Sequence, residues 1–200
     1  MKISKLLLFF LLISISKISI AKDLNLKALE DHLNSIKTLE ATFKQYASGS
    51  QSVGKLYISK PYKIKWEYTS PKSSLIIGNK NRFIYYDPKM QEVTYVPSDK
   101  IPGFFLSYKQ ISFGDNISVL SVLEDRNDIY IDVQDSVMKN SMMKVRLGFQ
   151  KKPLIITSIT VIDIAQDSDI SIHLSDIKIN QQVIDSVFEF KDPNFFKKIG

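Results

Sequence analysis

The 200-residue sequence contains no cysteine. Disulfides, thiolate metal sites, cysteine nucleophiles and a lipid-modified cysteine are therefore all excluded. Histidine occurs twice, at His32 and His173, and two isolated histidines do not form the kind of cluster that holds a metal ion. The phosphate-binding, nucleophile-elbow, zinc-protease and dinucleotide-binding motifs are also missing. These absences predict a protein without metal or cofactor that is not an enzyme.

The N-terminus has the three-part pattern of a secretory signal peptide. A short basic leader (1–5) precedes an apolar run (6–15), and small residues follow at Ser19 and Ala21. The apolar run is shorter than the roughly 20 residues that a membrane-spanning helix needs. We therefore expect cleavage after Ala21, with an uncleaved anchor as the alternative. An exported chain without an anchor is soluble beyond the inner membrane, which in a bacterium with two membranes is the periplasm.

Residues 22–200 are expected to form one domain. Removal of the three lysines of the predicted signal peptide lowers the net charge from +6 to +3. A charge of +3 is typical of an ordinary solvated surface and argues against a nucleic-acid partner. Lysines and aromatics do alternate in the stretch Tyr62–Tyr68. In an extended chain, however, they face opposite sides, whereas a base-stacking surface needs both on one side.

One helix is predicted near the start of the mature chain. Leu26, Leu29, Leu33 and Ile36 recur at helical spacing with charged residues between them. The pattern predicts an amphipathic helix over about Leu24–Leu39. Its single apolar stripe must lie on another element.

From residue 41 onward the apolar period changes to two, and turn residues recur about every ten positions. Strands are predicted at Ala41–Tyr46, Val53–Ser59, Tyr62–Tyr68, Ser74–Ile77, Arg82–Tyr86, Glu92–Val96, Ser118–Leu123, Ile129–Val133, Met143–Phe149, Leu154–Ile162, Ile170–Asp176 and Ser186–Phe190. Many short strands with tight connections predict an antiparallel meander that curls toward a barrel. The segment Lys100–Gln110 breaks this rhythm and is predicted to be a loop with a short helix.

Several aromatic residues fall on one face of the predicted sheet. Trp66 shares its face with Ile64 and Tyr68 by alternation. Phe83 and Tyr85 alternate with two other apolar residues, so the pattern does not tell which pair points inward. A sheet of this size carries more apolar surface than one helix covers, and part of its concave wall is a candidate binding cavity.

Five stretches of the chain carry a resemblance to a known family. They are "ATFKQ" (Ala41–Gln45), "GKLYISKPYKIKWEYTSP" (Gly54–Pro71), "LIIGNKNRFIYYDPKMQEVTYVP" (Leu75–Pro97), "KVRLGF" (Lys144–Phe149) and "IHLSDIKINQQVIDSVFEFKDP" (Ile172–Pro193). In this order, and with a signal peptide, they resemble the outer-membrane lipoprotein carrier protein (LolA) family. The missing cysteine separates the chain from the related outer-membrane receptor LolB, which is itself a lipoprotein.

The resemblance implies a mainly β (α+β) fold, an unclosed antiparallel β-barrel of roughly eleven strands covered by a helical lid. The space between barrel and lid takes the acyl chains of a lipoprotein, without a cofactor and without bond chemistry. The implied partners are acylated lipoproteins, an inner-membrane lipoprotein-releasing ABC transporter like LolCDE and an outer-membrane receptor like LolB. We expect the carrier to be a monomer.

The resemblance also implies site residues. The candidates for the acyl-chain cavity or the lid are Ile64, Trp66, Tyr68, Phe83, Tyr85, Phe104, Phe105 and Leu106. For Trp66 and for the apolar groups of the Lys100–Gln110 segment, the alternative is simple core packing. Lys60 matches a family position that is commonly arginine and that hydrogen-bonds the lid in the closed state. Lysine lacks the planar fork of arginine, and a solvated lysine before a turn proline is the alternative.

Two other functions remain open at this point. A lipid- or lipoprotein-sensing module of the same fold would account for the apolar cavity, although such sensors usually carry a second domain. A periplasmic hydrolase would need a convergent acid, base or nucleophile set, and the sequence offers none.

Overall fold

The computed structural model describes residues 26–80, 82–98, 101, 103–136 and 143–192. Helix α1 comprises residues 26–35. The predicted signal peptide and the first two residues of the predicted helix lie outside the described residues. The predicted C-terminal end of the helix is wrong, because Thr38 and Leu39 already belong to the first strand.

In the part of the chain that the structure describes, eleven strands and two 3₁₀ helices of four residues each follow α1. The strands are β1 (Thr38–Ala47), β2 (Ser50–Ser59), β3 (Lys63–Ser70), β4 (Ser74–Asn79), β5 (Arg82–Asp87), β6 (Glu92–Val96), β7 (Ile117–Glu124), β8 (Asp128–Asp135), β9 (Met143–Lys151), β10 (Leu154–Asp163) and β11 (Ser168–Ile179). Phe104–Ser107 forms what we call the inner 3₁₀ helix. Asp185–Phe188 forms the outer 3₁₀ helix.

All eleven strands form one antiparallel sheet in the order β6-β5-β4-β3-β2-β1-β11-β10-β9-β8-β7. The chain runs outward from β1 to one edge, crosses to β7 at the other edge, and returns strand by strand until β11 pairs with β1. Within the described ranges, β6 and β7 are the two edges and do not pair with each other. The prediction of an unclosed antiparallel sheet of roughly eleven strands is confirmed.

The predicted twelfth strand, Ser186–Phe190, is wrong. This stretch contains the outer 3₁₀ helix and no strand. The reason lies in the topology of the sheet. Strand β11 is paired on one side with β1 and on the other with β10, so neither of its edges can accept another strand. A strand that followed β11 would have to reach a distant edge of the sheet.

One face of the sheet, which we call the inner face, carries the core. Leu29 and Leu33 of α1 and Ile36 directly after it are almost fully buried and belong to the same apolar cluster as the inward side chains of the strands. The inner 3₁₀ helix adds its own side chains to this cluster. The apolar stripe of α1 is therefore buried against the sheet, as the sequence predicts.

The opposite, outer face is largely polar and is covered in one place by the C-terminal segment. Lys63 on β3 forms an ion pair with Asp185, with 2.7 Å between Nζ and Oδ1. The side chain of Phe188 is buried, and the ring of Phe190 packs on Tyr86 with 5.3 Å between centroids. The outer 3₁₀ helix and the residues after it thus pack on the outer face of β3–β5.

A second feature of the outer face is a carboxylate held by two cations. Asp132 on β8 is only 3% exposed. Its Oδ1 accepts a hydrogen bond from Arg146 Nε at 2.6 Å, and its Oδ2 accepts one from Lys144 Nζ at 2.8 Å. Burial alone raises the pKa of Asp132, but the hydrogen bonds from the two cations outweigh it and bring the pKa to about 2.

We expect Asp132→Ala to lower the free energy of unfolding by about 2–3 kcal/mol at neutral pH, because two partly buried cations lose their counter-ion. The pKa in the folded state lies below the value of about 3.9 for an unfolded chain. The stabilisation is therefore complete above that value and is lost as the pH falls through about 2. Urea denaturation of both proteins checks this, and a stability difference that does not shrink toward pH 2 would contradict it.

Candidate functional site

Strand β3 supplies part of the apolar inner wall. Ile64 and Trp66 are buried, and Tyr68 is half-buried and packs against the same cluster. The ring of Phe43 on β1 stands edge-on to both Trp66 and Tyr68, with 5.1 Å between centroids in each case. The three β3 residues therefore share the inner face, as their alternation predicts.

Two glycines make room for aromatic rings on this wall. Gly54 pairs with Phe43 across β1 and β2, and a Cβ atom there would lie 2.6 Å from the Phe43 ring. Gly78 pairs with Phe83 across β4 and β5, and a Cβ atom there would lie 2.4 Å from the Phe83 ring. Each ring lies over the glycine beside it, in space that any larger residue would fill.

The structure also decides between the two apolar pairs of β5. Phe83 is fully buried in the inner cluster, and Tyr85 lies on the same face by alternation. Tyr86 faces the outer side, where it meets Phe190. Phe83 and Tyr85 are thus the inward pair.

The inner 3₁₀ helix packs its apolar residues onto this wall. It begins after Gly103, whose φ of 67° lies in the left-handed region that favours glycine. Phe104, Phe105 and Leu106 are all buried, and the Phe104 ring lies 5.0 Å from that of Phe83. A cleft of about 570 Å³ opens beside Phe104. The Lys100–Gln110 segment therefore carries the predicted short helix and covers part of the inner face.

Lys60 connects the sheet to α1. Its Nζ donates a hydrogen bond to the backbone carbonyl of Leu33 at 2.7 Å. This carbonyl belongs to the last turn of α1, where helical carbonyls have no partner within the helix. Asn180, directly after β11, donates in the same way to the carbonyl of Ser35 at 2.9 Å. Side chains from two parts of the sheet thus cap the C-terminus of α1.

The burial of the Lys60 ammonium group opposes its hydrogen bond to α1. It lowers the pKa of Lys60 to about 8, with a further contribution from the nearby charge of Lys37. The hydrogen bond stabilises the docked helix, whereas the loss of water around the ammonium group destabilises it. The two effects oppose each other, so the net stabilisation by this contact is smaller than its short distance suggests.

Two further side chains tie α1 to the segment after the inner 3₁₀ helix. Asn34 donates from Nδ2 to the carbonyl of Ile111 and accepts from its N–H, both at 2.8 Å. Glu30 Oε2 accepts a hydrogen bond from the N–H of Phe113 at 2.6 Å. Sequence reasoning missed both residues, because polar positions on the solvent side of an amphipathic helix give no signal of a distant partner.

Two buried side-chain nitrogens have no hydrogen-bond partner in the part of the chain that the structure describes. They are Nε2 of His32 and Nε1 of Trp66. The His32 ring stands edge-on to Phe149 at 6.3 Å, and burial lowers its pKa. His32 is therefore a packing residue of α1. Trp66 lies at the centre of the inner wall.

The described residues contain no group of three or more His, Cys, Asp or Glu side chains placed to hold a metal ion. Nor does any of the helices so described have the length and hydropathy to cross a membrane. The inner face instead offers apolar and aromatic surface, covered by two short helical elements. Apolar and aromatic surface of this kind is suited to contact with apolar groups.

The comparisons with known proteins agree with this geometry. The family model for the outer membrane lipoprotein carrier protein LolA matches residues 34–191. The chain belongs to the LolA family. The match covers all eleven strands and both 3₁₀ helices, and it begins within α1.

Individual related proteins are moderately similar to this chain in sequence. An outer-membrane lipoprotein carrier protein from Legionella pneumophila is 24% identical over 93% of this chain and 95% of its own length. An uncharacterized Rickettsia prowazekii protein, RP864, is 29% identical over 87% of this chain and 80% of its own length. A crystal structure of an uncharacterized conserved protein from Thermus thermophilus has a TM-score of 0.50 at 7% identity, covering 80% of this chain and 89% of that one. The last likeness concerns the fold alone.

Proposed function

We propose that this LolA-family protein is a periplasmic carrier of lipoproteins. It takes a lipoprotein released from the inner membrane, shelters the acyl chains between the inner face and its helical cover, and delivers the lipoprotein to the outer membrane. The observation that carries the proposal is the cover itself. An apolar, aromatic sheet face is closed by one ten-residue helix and a four-residue 3₁₀ helix, which a few polar contacts hold in place.

The energetics suit such a role. Each methylene group removed from water contributes about 0.8 kcal/mol. A dozen buried methylenes give roughly 10 kcal/mol before the costs of association are subtracted. The cover competes for the same surface, because its own apolar side chains occupy the inner face when no acyl chain is bound. A carrier needs this competition, since it must also release what it binds.

The proposed cavity and cover use the residues that the sequence singles out. Their common feature is a position on the inner face or on the inner 3₁₀ helix. They are Ile64, Trp66, Tyr68, Phe83, Tyr85, Phe104, Phe105 and Leu106. The proposed partners are an inner-membrane ABC transporter like LolCDE and an outer-membrane receptor like LolB. Signal-peptide cleavage after Ala21 and a monomeric carrier belong to the same proposal.

A release assay tests the proposal. Spheroplasts that make a labelled outer-membrane lipoprotein are incubated with the mature protein, and the soluble lipoprotein is measured. We expect soluble lipoprotein in a one-to-one complex with the carrier. Lipoprotein that stays on the membrane at saturating carrier would refute the proposed function.

Lys60 is proposed to be the latch of the closed state. We expect Lys60→Met to accept lipoprotein from spheroplasts as well as the wild type does but to transfer it more slowly to outer-membrane vesicles. The reason is that the empty, closed form loses the hydrogen bond to Leu33 and competes less well with the bound acyl chains. The Lys60→Arg variant restores the common family residue and serves as the control, and unchanged transfer by Lys60→Met would contradict the latch.

The pKa of Lys60 gives the latch a pH dependence. An exposed lysine has a pKa of about 10.4, whereas that of Lys60 with α1 docked is about 8. Docking is therefore favoured more as the pH rises from about 8 to about 10.4, since the neutral amine still donates but no longer has to be desolvated as a cation. The wild type should accordingly bind acyl chains less tightly at pH 9.5 than at pH 7, and Lys60→Met should lack this difference.

A further inference from the structure

Trp66 presents an unpaired hydrogen-bond donor inside the apolar wall. The side chain is 2% exposed, and its Nε1 has no partner among the described residues. Its inner-face neighbours on the adjacent strands are Leu56 and Ile76, and its ring meets the edge of Phe43. None of these side chains accepts a hydrogen bond. Buried polar groups without a partner are rare and carry a free-energy cost.

The next inward-facing polar group of β3, the hydroxyl of Tyr68, does have a hydrogen-bond partner. The Tyr68 hydroxyl, two residues further along β3, donates to Oε1 of Gln45 at 2.8 Å. Among the described residues, the phenol therefore has a partner side chain and the indole has none. Trp66 is also the only tryptophan of the chain.

An acyl chain carries the hydrogen-bond acceptor that the indole N–H of Trp66 lacks among the described residues. Whether linked as an ester or as an amide, every acyl chain carries a carbonyl oxygen at its head, and an alkyl chain of equal length does not. A chain that displaces the cover and lies along β3 passes the indole N–H.

We propose, on the basis of the proposed function, that the indole N–H of Trp66 donates a hydrogen bond to an acyl carbonyl of the bound lipid. Trp66 then selects acyl chains over plain hydrocarbon and favours the loaded state over the closed one. A net hydrogen bond of this kind corresponds to a preference of roughly three- to tenfold in affinity.

Two lipids that differ only in the carbonyl test the proposal. Dipalmitoylglycerol carries two ester carbonyls, whereas the dihexadecylglycerol ether has the same chain length and none. In the ¹⁵N-labelled wild type, the single tryptophan gives one indole N–H cross-peak. We expect the diacyl lipid to move this peak downfield and the dialkyl lipid to leave its proton shift nearly unchanged, with a three- to tenfold tighter binding of the diacyl lipid.

Two variants separate the role of the donor from that of the ring. Trp66→Phe should bind both lipids equally, because it keeps an aromatic ring and loses the N–H. Tyr57→Phe is the matched control and should keep the preference, because Tyr57 lies on the outer face of β2, beside Lys65, and its variant also loses one polar hydrogen from an aromatic ring. The cross-peak of the wild type gives an answer even if Trp66→Phe folds poorly.

The outcomes distinguish this inference from the function on which it rests. If the wild type releases lipoprotein but binds the two lipids equally, without a selective downfield shift, the inference is wrong and the carrier remains. A preference that survives in Trp66→Phe also overturns the inference. If the protein neither binds the lipids nor releases lipoprotein, the proposed function fails and the inference fails with it.

Discussion

Cross-linking α1 to the segment next to it is expected to abolish lipoprotein uptake. In the structure, Glu30 and Asn34 of α1 bind the backbone at Phe113 and Ile111. A cysteine at position 30 and another at Ser112 can be joined by a short, reducible bismaleimide. Because the chain has no cysteine of its own, only these two positions react. If α1 is the lid, as proposed, fixing it keeps acyl chains from the inner face, and uptake in the spheroplast assay should fall to background.

The control for this experiment lies in the same sheet. Glu40 and Lys178 pair across β1 and β11 and form an exposed ion pair at 3.2 Å. A cross-link between cysteines at these two positions joins strands that stay together and should leave uptake intact. Reduction of the linker should restore uptake by the α1-linked protein, as should the use of either cysteine alone. Full uptake with α1 linked would show that the helix does not act as a lid.

A charge at Phe105 is expected to have the second-largest effect. Phe105 is 3% exposed and belongs to the cluster that the inner 3₁₀ helix and the inner face share. In the loaded carrier the proposed cover lies over the acyl chains, and an ionised carboxylate that faces them costs several kcal/mol. We therefore expect Phe105→Glu to weaken the binding of acyl chains by about 100-fold or more, as measured by titration with dipalmitoylglycerol.

The matched control for Phe105 is a buried residue of the outer face. Ile77 is 2% exposed and lines a groove beside Phe188 and Phe190. Ile77→Glu also buries a charge and should lower the melting temperature, but the folded protein should still bind lipid. If both glutamate variants lose lipid binding in proportion to their loss of stability, Phe105 is ordinary core. The corresponding alanine variants answer the same question should either glutamate variant fail to fold.

Most of the sheet could be predicted from the sequence, because alternation is a local property. Ile64, Trp66 and Tyr68 reveal their common face by spacing alone. The helix boundary could not be predicted as well, since Leu39 continues the apolar pattern of the helix while serving as an inward residue of β1. An apolar residue at the end of a helix and one at the start of a strand look alike in sequence.

The wrong prediction of a twelfth strand and the failure to predict which face of β5 points inward have one cause. The residues around Phe188 and Phe190 look like a strand because they are apolar and alternate, yet they pack on the outer face of the sheet. The same packing makes the outer side of β5 apolar at Tyr86. Both faces of β5 therefore carry apolar residues, and the sequence alone makes both look buried. Only the three-dimensional arrangement distinguishes a covered outer face from the core.

The polar part of the site depends on pairs that are far apart in the chain. Lys60 and Leu33 are 27 residues apart, and Asn34 and Ile111 are 77 residues apart. The resemblance to a family pointed to Lys60, and no pattern pointed to Asn34. The unpaired N–H of Trp66 was also beyond prediction, because whether a donor finds an acceptor depends on every neighbour of the folded chain.

The claim that acyl chains occupy the inner face can be tested at Trp66 directly. The carrier is loaded with a lipoprotein whose acyl chains are brominated, and the emission of the single tryptophan is compared with that of the carrier loaded with the unbrominated lipoprotein. Bromine quenches indole fluorescence only at contact distance. We predict strong quenching in the brominated complex. Equal emission from the two fully loaded complexes would mean that the acyl chains lie elsewhere, and the account would be wrong.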